Sequence, residues 1–332
     1  MIERALPLSW TDVAGKEFVH LVSPLEPQAF LRDYWQVRPL HIKGTPAKFR
    51  ELFDRRRLDE ALARAASLSH VRSFQVNALQ PAVADEPLAL ASMERVASET
   101  VPELLSQGFT ICVNDVGAAD DQLYAYARAV KRQMHYVGGV RFNCYLSPDA
   151  SGADTHFDAR VSTTIQLEGR KRWRFSPLPV VAWPLSNAQV DCDGAPRWMS
   201  PWVGGREWEH LEPVAEDGFV EVVLEPGDVL CLPAGTWHNA KAIGESLALN
   251  LAFSPGPFFQ VLARLLETAF MASPQWRGGA PPTIGQDPVD GGLPPAVEQY
   301  LAERLGEVGE FVAGVDLRDP GIAQVWRDFI DT

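Results

Sequence analysis

Cysteine is scarce in this chain, and the little there is does not pair. Cys112, Cys144, Cys192 and Cys231 are far apart and make no CxxC. That argues against a disulfide scaffold or a zinc knot and predicts reduced thiols, three of them in apolar, strand-like surroundings. Long apolar runs are missing as well, since none approaches the roughly 18 residues that would suggest a membrane span. The first ten residues, MIERALPLSW, lack the basic-then-apolar layout of a secretion signal. A cytoplasmic protein with no membrane partner is expected. Basic residues are outnumbered, 30 Lys and Arg against 43 Asp and Glu, for a net charge of −13. No direct nucleic-acid partner is expected from that balance. The acidity is concentrated: between Gln286 and Thr332 ten acidic residues face only Arg304, Arg318 and Arg327, a balance of −7. No internal repeat is present.

What the 332 residues do contain, at 46% hydrophobic and 10% aromatic, is ample material for a large core. Residues 1–108 read as a helical, loop-rich flank: PQAFLRDYW sets Phe30, Leu31, Tyr34 and Trp35 at helical spacing, RPLHIKG reads as a short strand, and Lys48 to Leu68 as helix. Arg55, Arg56 and Arg57 on that helix read either as a solvated charged face or as a peptide or RNA contact. Residues 109–255 change character. FTICVND reads as a strand, DQLYAYARAVKRQMHY as a helix with Leu123, Ala127, Val130 and Met134 on one stripe, and then short strands separated by Gly and Pro turns follow. That pattern predicts a closed or sandwiched β core. Within it, residues 178–218 form a Pro- and Gly-rich insert with Trp183, Trp198, Trp202 and Trp208, which either pin a long loop to the core or line a substrate groove. Residues 256–332 return to helices. Phe259, Leu262, Leu266, Ala269 and Phe270 share one stripe, residues 278–295 read as a linker, and Ile322, Val325, Trp326, Phe329 and Ile330 share another. Such apolar faces serve an intramolecular core or a homodimer.

The stretch Asp154 to Arg172 organises the rest. Alternate side chains on a strand share a face, so His156 and Asp158 point together, with Arg160, Ser162, Thr164 and Gln166 following in parity. Phe157, Val161, Thr163, Ile165 and Leu167 occupy the opposite face. Glu168 and Gly169 read as a tight turn, after which Lys171, Trp173 and Phe175 share one face and Arg170, Arg172 and Arg174 the other. A divalent metal held by two imidazoles and one carboxylate retains open positions, which suits non-haem Fe(II) and O2 chemistry. Of seven histidines, His238, just past LPAGTW, stands in the strand context a second ligand needs. Iron of this kind requires an electron donor. 2-Oxoglutarate supplies two electrons by oxidative decarboxylation while chelating the metal, and its far carboxylate calls for a fixed cation, for which Lys171 is the candidate. In SLALNLAF, Ser246, Ala248, Asn250 and Ala252 share a small or polar face. Asn250 there, and Asn143 in VRFNCYLSP, are each either a polar group beside the cosubstrate or a structural bridge.

NCYLSP, THFD, IQLEGRKRWRFSP, PGDVLCLPAGTWHNA and SLALNLAF together resemble the JmjC-type cupin oxygenases, especially the ribosomal oxygenase branch, with likeness also to the asparaginyl hydroxylases. The resemblance spans roughly residues 109–255, and FLRDYWQVRPLHIKG is similar to the entry segment of the ribosomal oxygenases. It implies a mainly β fold, a double-stranded β-helix (jelly-roll) core with flanking helices and a C-terminal helical appendage, possessing Fe(II) at His156, Asp158 and His238. It further implies 2-oxoglutarate bound through Lys171, with Asn143, Asn250 and Thr164 as candidate polar groups around it, and hydroxylation of a side chain in a protein or peptide, ribosomal in that branch. Two features depart from the family. Ala153 stands near where asparaginyl hydroxylases carry a hydroxyl for the cosubstrate, leaving Thr155, Thr164 or Ser162 to supply one. Residues 256–332 are shorter than the dimerisation and winged-helix regions of the ribosomal oxygenases, although a homodimer through these helices stays an expectation. Two other functions remain open: the same chemistry on a small molecule or peptide natural product, and a cupin that binds metal without oxidising anything.

Overall fold

The computed structural model describes residues 13–79, 93–191, 193–200, 202–203, 206–207, 210–256, 258–284 and 292–331. Cys192, Trp208, the segment MIERALPLSW and part of the expected linker lie outside them. The chain divides into two compact units, Met1–Pro255 and Gly256–Thr332. No helix among the described residues is long and apolar enough to cross a membrane.

The first unit is mainly β. Its strands are β1 (Leu40–Ile42), β2 (Gln75–Leu79), β3 (Glu94–Arg95), β4 (Thr110–Asn114), β5 (Val140–Ser147), β6 (Gly152–Phe157), β7 (Val161–Phe175), β8 (Ala188–Val190), β9 (Pro196–Trp198), β10 (Trp202–Val203), β11 (Arg206–Glu207), β12 (Val220–Leu224), β13 (Val229–Leu232) and β14 (His238–Phe253). The flank expected to be helical contributes β2 and β3 as well as the anticipated short strand β1, and these extend the sheet. Helix in the Lys48 to Leu68 stretch is confined to Arg55–Ala63, where Asp54 caps the N-terminus by accepting from the Arg57 N–H at 2.9 Å. Its arginines are engaged with neighbours: Arg55 with Asp59 and Glu245, Arg56 with Glu60, Arg57 with Asp120. Asp120 in turn caps helix Asp121–Gln133, which buries Leu123, Tyr126, Ala127 and Val130. Each large apolar side chain so buried contributes roughly 1.5–3 kcal/mol.

Two long strands hold the architecture together. The tight turn expected at Glu168 and Gly169 is instead a bend inside a single 15-residue strand, β7. Likewise SLALNLAF is not a strand by itself but the second half of one 16-residue strand, β14, that begins at His238. The first half of β7 pairs with β13 and with the second half of β14, while its second half pairs with β12 and with the first half of β14. The register shifts between Ile243 and Leu247, opposite Glu168 to Arg170. Gly169 carries φ +64°, and a Cβ there would lie 1.9 Å from the Glu245 carbonyl oxygen, so only glycine allows the two bent strands to approach. β7 and β14 thus cross from one sheet to the other. One half-sheet runs β1, β13, β7, β14, β5, β4, β2, β3, and the other contains β12, β7, β14, β6, β8 and β9. This is the double-stranded β-helix arrangement. Residues 161–166 are buried on both faces, one face lying on the helical layer and the other on the interior between half-sheets.

The Trp-rich insert, which could not be assigned from the sequence, holds β8, β9, β10 and β11. Trp198 packs edge-on against Phe157 with ring centroids 5.4 Å apart, whereas Trp183 is 59% exposed. On the other side of the fold, the Pro226-Gly227 turn presents Asp228. Its buried carboxylate accepts from the Gly44 N–H at 2.9 Å, from Lys43 and His41 at 3.0 Å, and from the Glu225 N–H at 3.2 Å. Burial alone would raise this carboxyl, but those donors outweigh it and hold it below its ordinary range. Its contribution to stability is therefore present above the unfolded value of about 3.9 and lost as pH falls through the lower folded one. Asp228→Ala should cost roughly 2–3 kcal/mol by orphaning these donors, seen as a lower urea midpoint at neutral pH; an unchanged midpoint would remove this latch from the account.

In the second unit, helices Phe258–Phe270, Pro274–Arg277, Pro295–Gly314 and Pro320–Asp331 pack through Val325, Ile330 and a cluster of Phe270 with Trp276 and Phe311. The expected stripe of helix Phe258–Phe270 is rotated, with Val261 buried and Phe259 65% exposed. Trp326 is likewise 38% exposed rather than covered with Val325. Both helices bury narrower faces than their sequences offer.

Candidate functional site

Between the two half-sheets lies a buried cavity. From one side β6 offers His156 and Ala153, the second half of β7 offers Lys171 and Trp173, and the start of β14 offers His238 and Ala240. From the other side come Thr110 of β4, Tyr145 of β5, Ser162 and Thr164 of β7, and Ala248 and Asn250 of β14. Asp158, one residue past the end of β6, and Leu79, at the end of β2, also line the cavity. The bends in β7 and β14 put residues of the same strand on opposite walls.

One ligand atom from each of His156, Asp158 and His238 lies within 4.8 Å of the others. His238 and His156 stand directly opposite in the β14–β6 ladder. Each imidazole is tied through Nδ1 to a backbone carbonyl two residues earlier, His156 to Asp154 at 2.7 Å and His238 to Thr236 at 2.8 Å. A carbonyl only accepts, so Nδ1 carries the proton and Nε2 presents its lone pair. Burial, reinforced by the nearby His156, lowers His238 to about 4, leaving it neutral and able to ligate at physiological pH. Burial alone would raise Asp158, yet Arg160, His156 and His238 hold its carboxyl below the usual range. Two imidazoles that present Nε2, with one carboxylate, suit a divalent transition metal.

Lys171 projects inward as the alternation requires and is 4% exposed. Its Nζ donates to Ser147 Oγ at 2.8 Å and lies 5.8 Å from the centre of the Tyr145 ring. Thr110 Oγ1 also donates to Ser147 Oγ, at 3.1 Å, and pairs with Ser151 Oγ at 3.0 Å. Burial lowers Lys171 to about 8. A buried ammonium with one neutral partner has the electrostatic capacity to take an anion. Several buried polar atoms in and around the cavity wall also have no hydrogen-bond partner: Trp173 Nε1, Asn250 Oδ1 and Asn143 Nδ2. Such atoms in a cavity suit a polar ligand. The donor set and this polar lining fit an iron ion with a chelating dicarboxylate at Lys171.

Of the other expected residues, Thr164 and Asn250 line the cavity, and Asn143 does not. Asn143 sits opposite Asn250, which is opposite Thr164, forming one cross-strand row. The Asn143 Oδ1 accepts from the Asp115 N–H at 3.0 Å, and the Asn250 amide donates to Ser162 Oγ. Among the hydroxyls offered in place of Ala153, Thr155 is taken by Glu216 and Asn239, and Ser162 by Asn250. The hydroxyl bonded to Lys171 is instead that of Ser147, which Thr110 also reaches. Sequence reasoning missed Tyr145 and Ser147, although they follow Asn143 in the two-residue parity of β5. Thr110 and Asn187 carry no local signal; Asn187 donates to Asp158 Oδ1 at 3.2 Å from within the insert.

Residues 121–259 match the JmjC domain. An uncharacterised Bacillus subtilis protein, YxbC, is 25% identical, the alignment covering 77% of this chain and 76% of that protein. The chicken protein Ribosomal oxygenase 1 is 24% identical over 92% of this chain and 50% of its own length. A Drosophila willistoni protein named bifunctional lysine-specific demethylase and histidyl-hydroxylase NO66 is 26% identical over 74% of this chain and 31% of its own. The chain thus spans half or less of the length of these last two relatives. The Escherichia coli ycfD structure matches with a TM-score of 0.57 at 16% identity, covering 92% of this chain and 71% of that one. A further structure of the E. coli protein, in complex with cobalt and 2-oxoglutarate, matches with a TM-score of 0.53 at 16% identity and the same coverage.

Proposed function

We propose, from the premise that residues 121–259 are a JmjC domain, that this protein is an Fe(II)- and 2-oxoglutarate-dependent oxygenase that hydroxylates a side chain of a protein or peptide. The observation that carries the reading is the convergence of His156, Asp158 and His238 within 4.8 Å in the cavity that also holds Lys171. His156 and His238 would bind the metal through Nε2 and Asp158 through its carboxylate. Lys171, with Ser147 and Thr110 around it, would hold the far carboxylate of 2-oxoglutarate. The chemistry an iron ion would supply there is the coupling of O2 reduction to decarboxylation of 2-oxoglutarate, with succinate, CO2 and a hydroxylated substrate C–H position as products.

The chain's own residues supply positioning and dryness. Trp173 stacks on the His238 ring, with centroids 5.8 Å apart, limiting its rotation, and Ala240 and Ala248 keep the walls apolar between the polar groups. Small side chains at 240 and 248 leave room for a ligand that larger ones would fill. The protein-substrate reading is supported by the names of the relatives, and a ribosomal protein is the first substrate to offer. Purified protein incubated with Fe(II), ascorbate, O2 and 2-oxoglutarate should release succinate slowly and faster with its substrate. Parallel incubations with ribosomal proteins and with a metabolite pool, followed by mass spectrometry, separate the alternatives. Gain of one oxygen on a peptide is expected; gain only on a small molecule, or loss of a methyl group from a peptide, would displace the reading.

A further inference from the structure

We infer that Asn187, in the Trp-rich insert, is a positioning residue that fixes how Asp158 meets the metal, so that the insert takes part in building the metal centre. This role rests on the function proposed above. The Asn187 Nδ2 donates to Asp158 Oδ1 at 3.2 Å, and its Oδ1 accepts from the Ala159 N–H at 2.8 Å. The orientation of the amide is dictated by chemistry. An N–H can only donate, so the atom facing Ala159 must be the oxygen, and the amine is then turned to the carboxylate. The reverse orientation would set donor against donor and acceptor against acceptor. Arg160 approaches the same carboxylate oxygen, its Nε 3.9 Å from Asp158 Oδ1. Asn187 is thus the hydrogen-bond donor to Oδ1, with Arg160 adding charge attraction from beyond hydrogen-bond range, and Oδ2 is left as the less encumbered oxygen.

Asn187 is itself held firmly. Its carbonyl accepts from the Met199 N–H at 2.8 Å and from Ser186 Oγ at 3.1 Å, and Ser186 Oγ in turn accepts from the Ser200 N–H at 3.0 Å. The next residue, Ala188, pairs with Phe157 in the β6–β8 ladder. The strand that carries His156 and the insert that carries Asn187 are thus one hydrogen-bonded unit around the carboxylate. Partners of this kind orient a ligand and raise metal affinity by ~10–100-fold.

Asn187→Ala and Asn187→Asp separate positioning from structure. Aspartate keeps the acceptor for the Ala159 N–H but sets a carboxylate against Asp158, whereas alanine loses both contacts. Titration of each full-length variant with Co(II), read by its visible absorption, is the test, with Asp158→Ala as control. The expected result is a rise of ~10–100-fold in the Co(II) dissociation constant for both variants, an altered absorption envelope, and an Asn187→Asp melting temperature near that of the parent. Parent-like Co(II) affinity and spectrum in both variants, with Asp158→Ala impaired, would overturn the role of Asn187 alone. Recovery of parent affinity in Asn187→Asp only would reduce Asn187 to a support of the Ala159 backbone and overturn the inference too. Failure of the parent protein to bind Co(II), or binding indifferent to Asp158→Ala, would overturn the metal reading and this role together.

Discussion

Asp158→Ala should remove metal-dependent succinate release altogether, by about three orders of magnitude or more, since even the outer partners of such a ligand are worth ~10–100-fold. Two reasons make this the largest effect. The substitution takes away the one anionic group among the three, and with it the charge that would balance a divalent cation in the cavity. It also leaves Asn187 Nδ2 and the Arg160 guanidinium facing a void. Asp158→Asn, which preserves shape, guards against a trivial loss of folding, and should be as inactive as the alanine variant while melting near the parent temperature. Turnover by either variant at a tenth of the parent rate or better would contradict the assignment of Asp158 as a ligand.

Lys171→Ala should weaken 2-oxoglutarate binding by roughly 3–4 kcal/mol, on the order of 10²–10³-fold, while leaving Co(II) affinity near that of the parent. The split follows from the geometry, because Lys171 lies on Ser147 and beside Tyr145, apart from the His156, Asp158 and His238 cluster. Titration of the Co(II)-loaded protein with 2-oxoglutarate measures it. The same titration carries a pH signature. Burial, with a smaller push from Lys241, lowers the free-state ammonium to about 8, although Cys112 and Cys144 act in the opposite sense. A bound carboxylate raises that value, so the Lys171 contribution to binding is fully present below pH 8 and declines as pH rises above it, approaching ~10-fold per unit. Lys171→Met should flatten the profile above pH 8. A parent profile flat from pH 7 to 9.5 would mean that Lys171 does not hold the cosubstrate as a cation.

The partition between chain and fold is visible in particular residues. His156, Asp158 and Lys171 were accessible from sequence because strand parity is local, a period of two deciding which face a side chain takes whatever the strand pairs with, and His238 because it stands just past the LPAGTW turn. The same parity in β5 could have revealed Tyr145 and Ser147 beyond Asn143. Parity fails where a strand ends or bends. It carried Arg160 onto the face of His156, although β6 stops at Phe157 and Arg160 lies beside Asp158 rather than in the cavity wall.

A glycine in a charged stretch such as LEGRKR reads equally as a turn or as a bend, and only its partner chooses. At Gly169 the choice is made by the Glu245 carbonyl, 76 positions away, whose approach keeps β7 continuous and folds it across both half-sheets. Long-range approach also brings Thr110 and Ser147 to Lys171 and Asn187 to Asp158, since those contacts depend on where separate strands and an irregular insert come to rest. The sequence by itself determined the alternation, the side-chain types of the candidate site and the mainly β class, all of which follow from side-chain chemistry at short spacing. Which polar groups share one desolvated space was decided by the tertiary structure alone, because burial and hydrogen bonding are properties of packed neighbours rather than of consecutive residues.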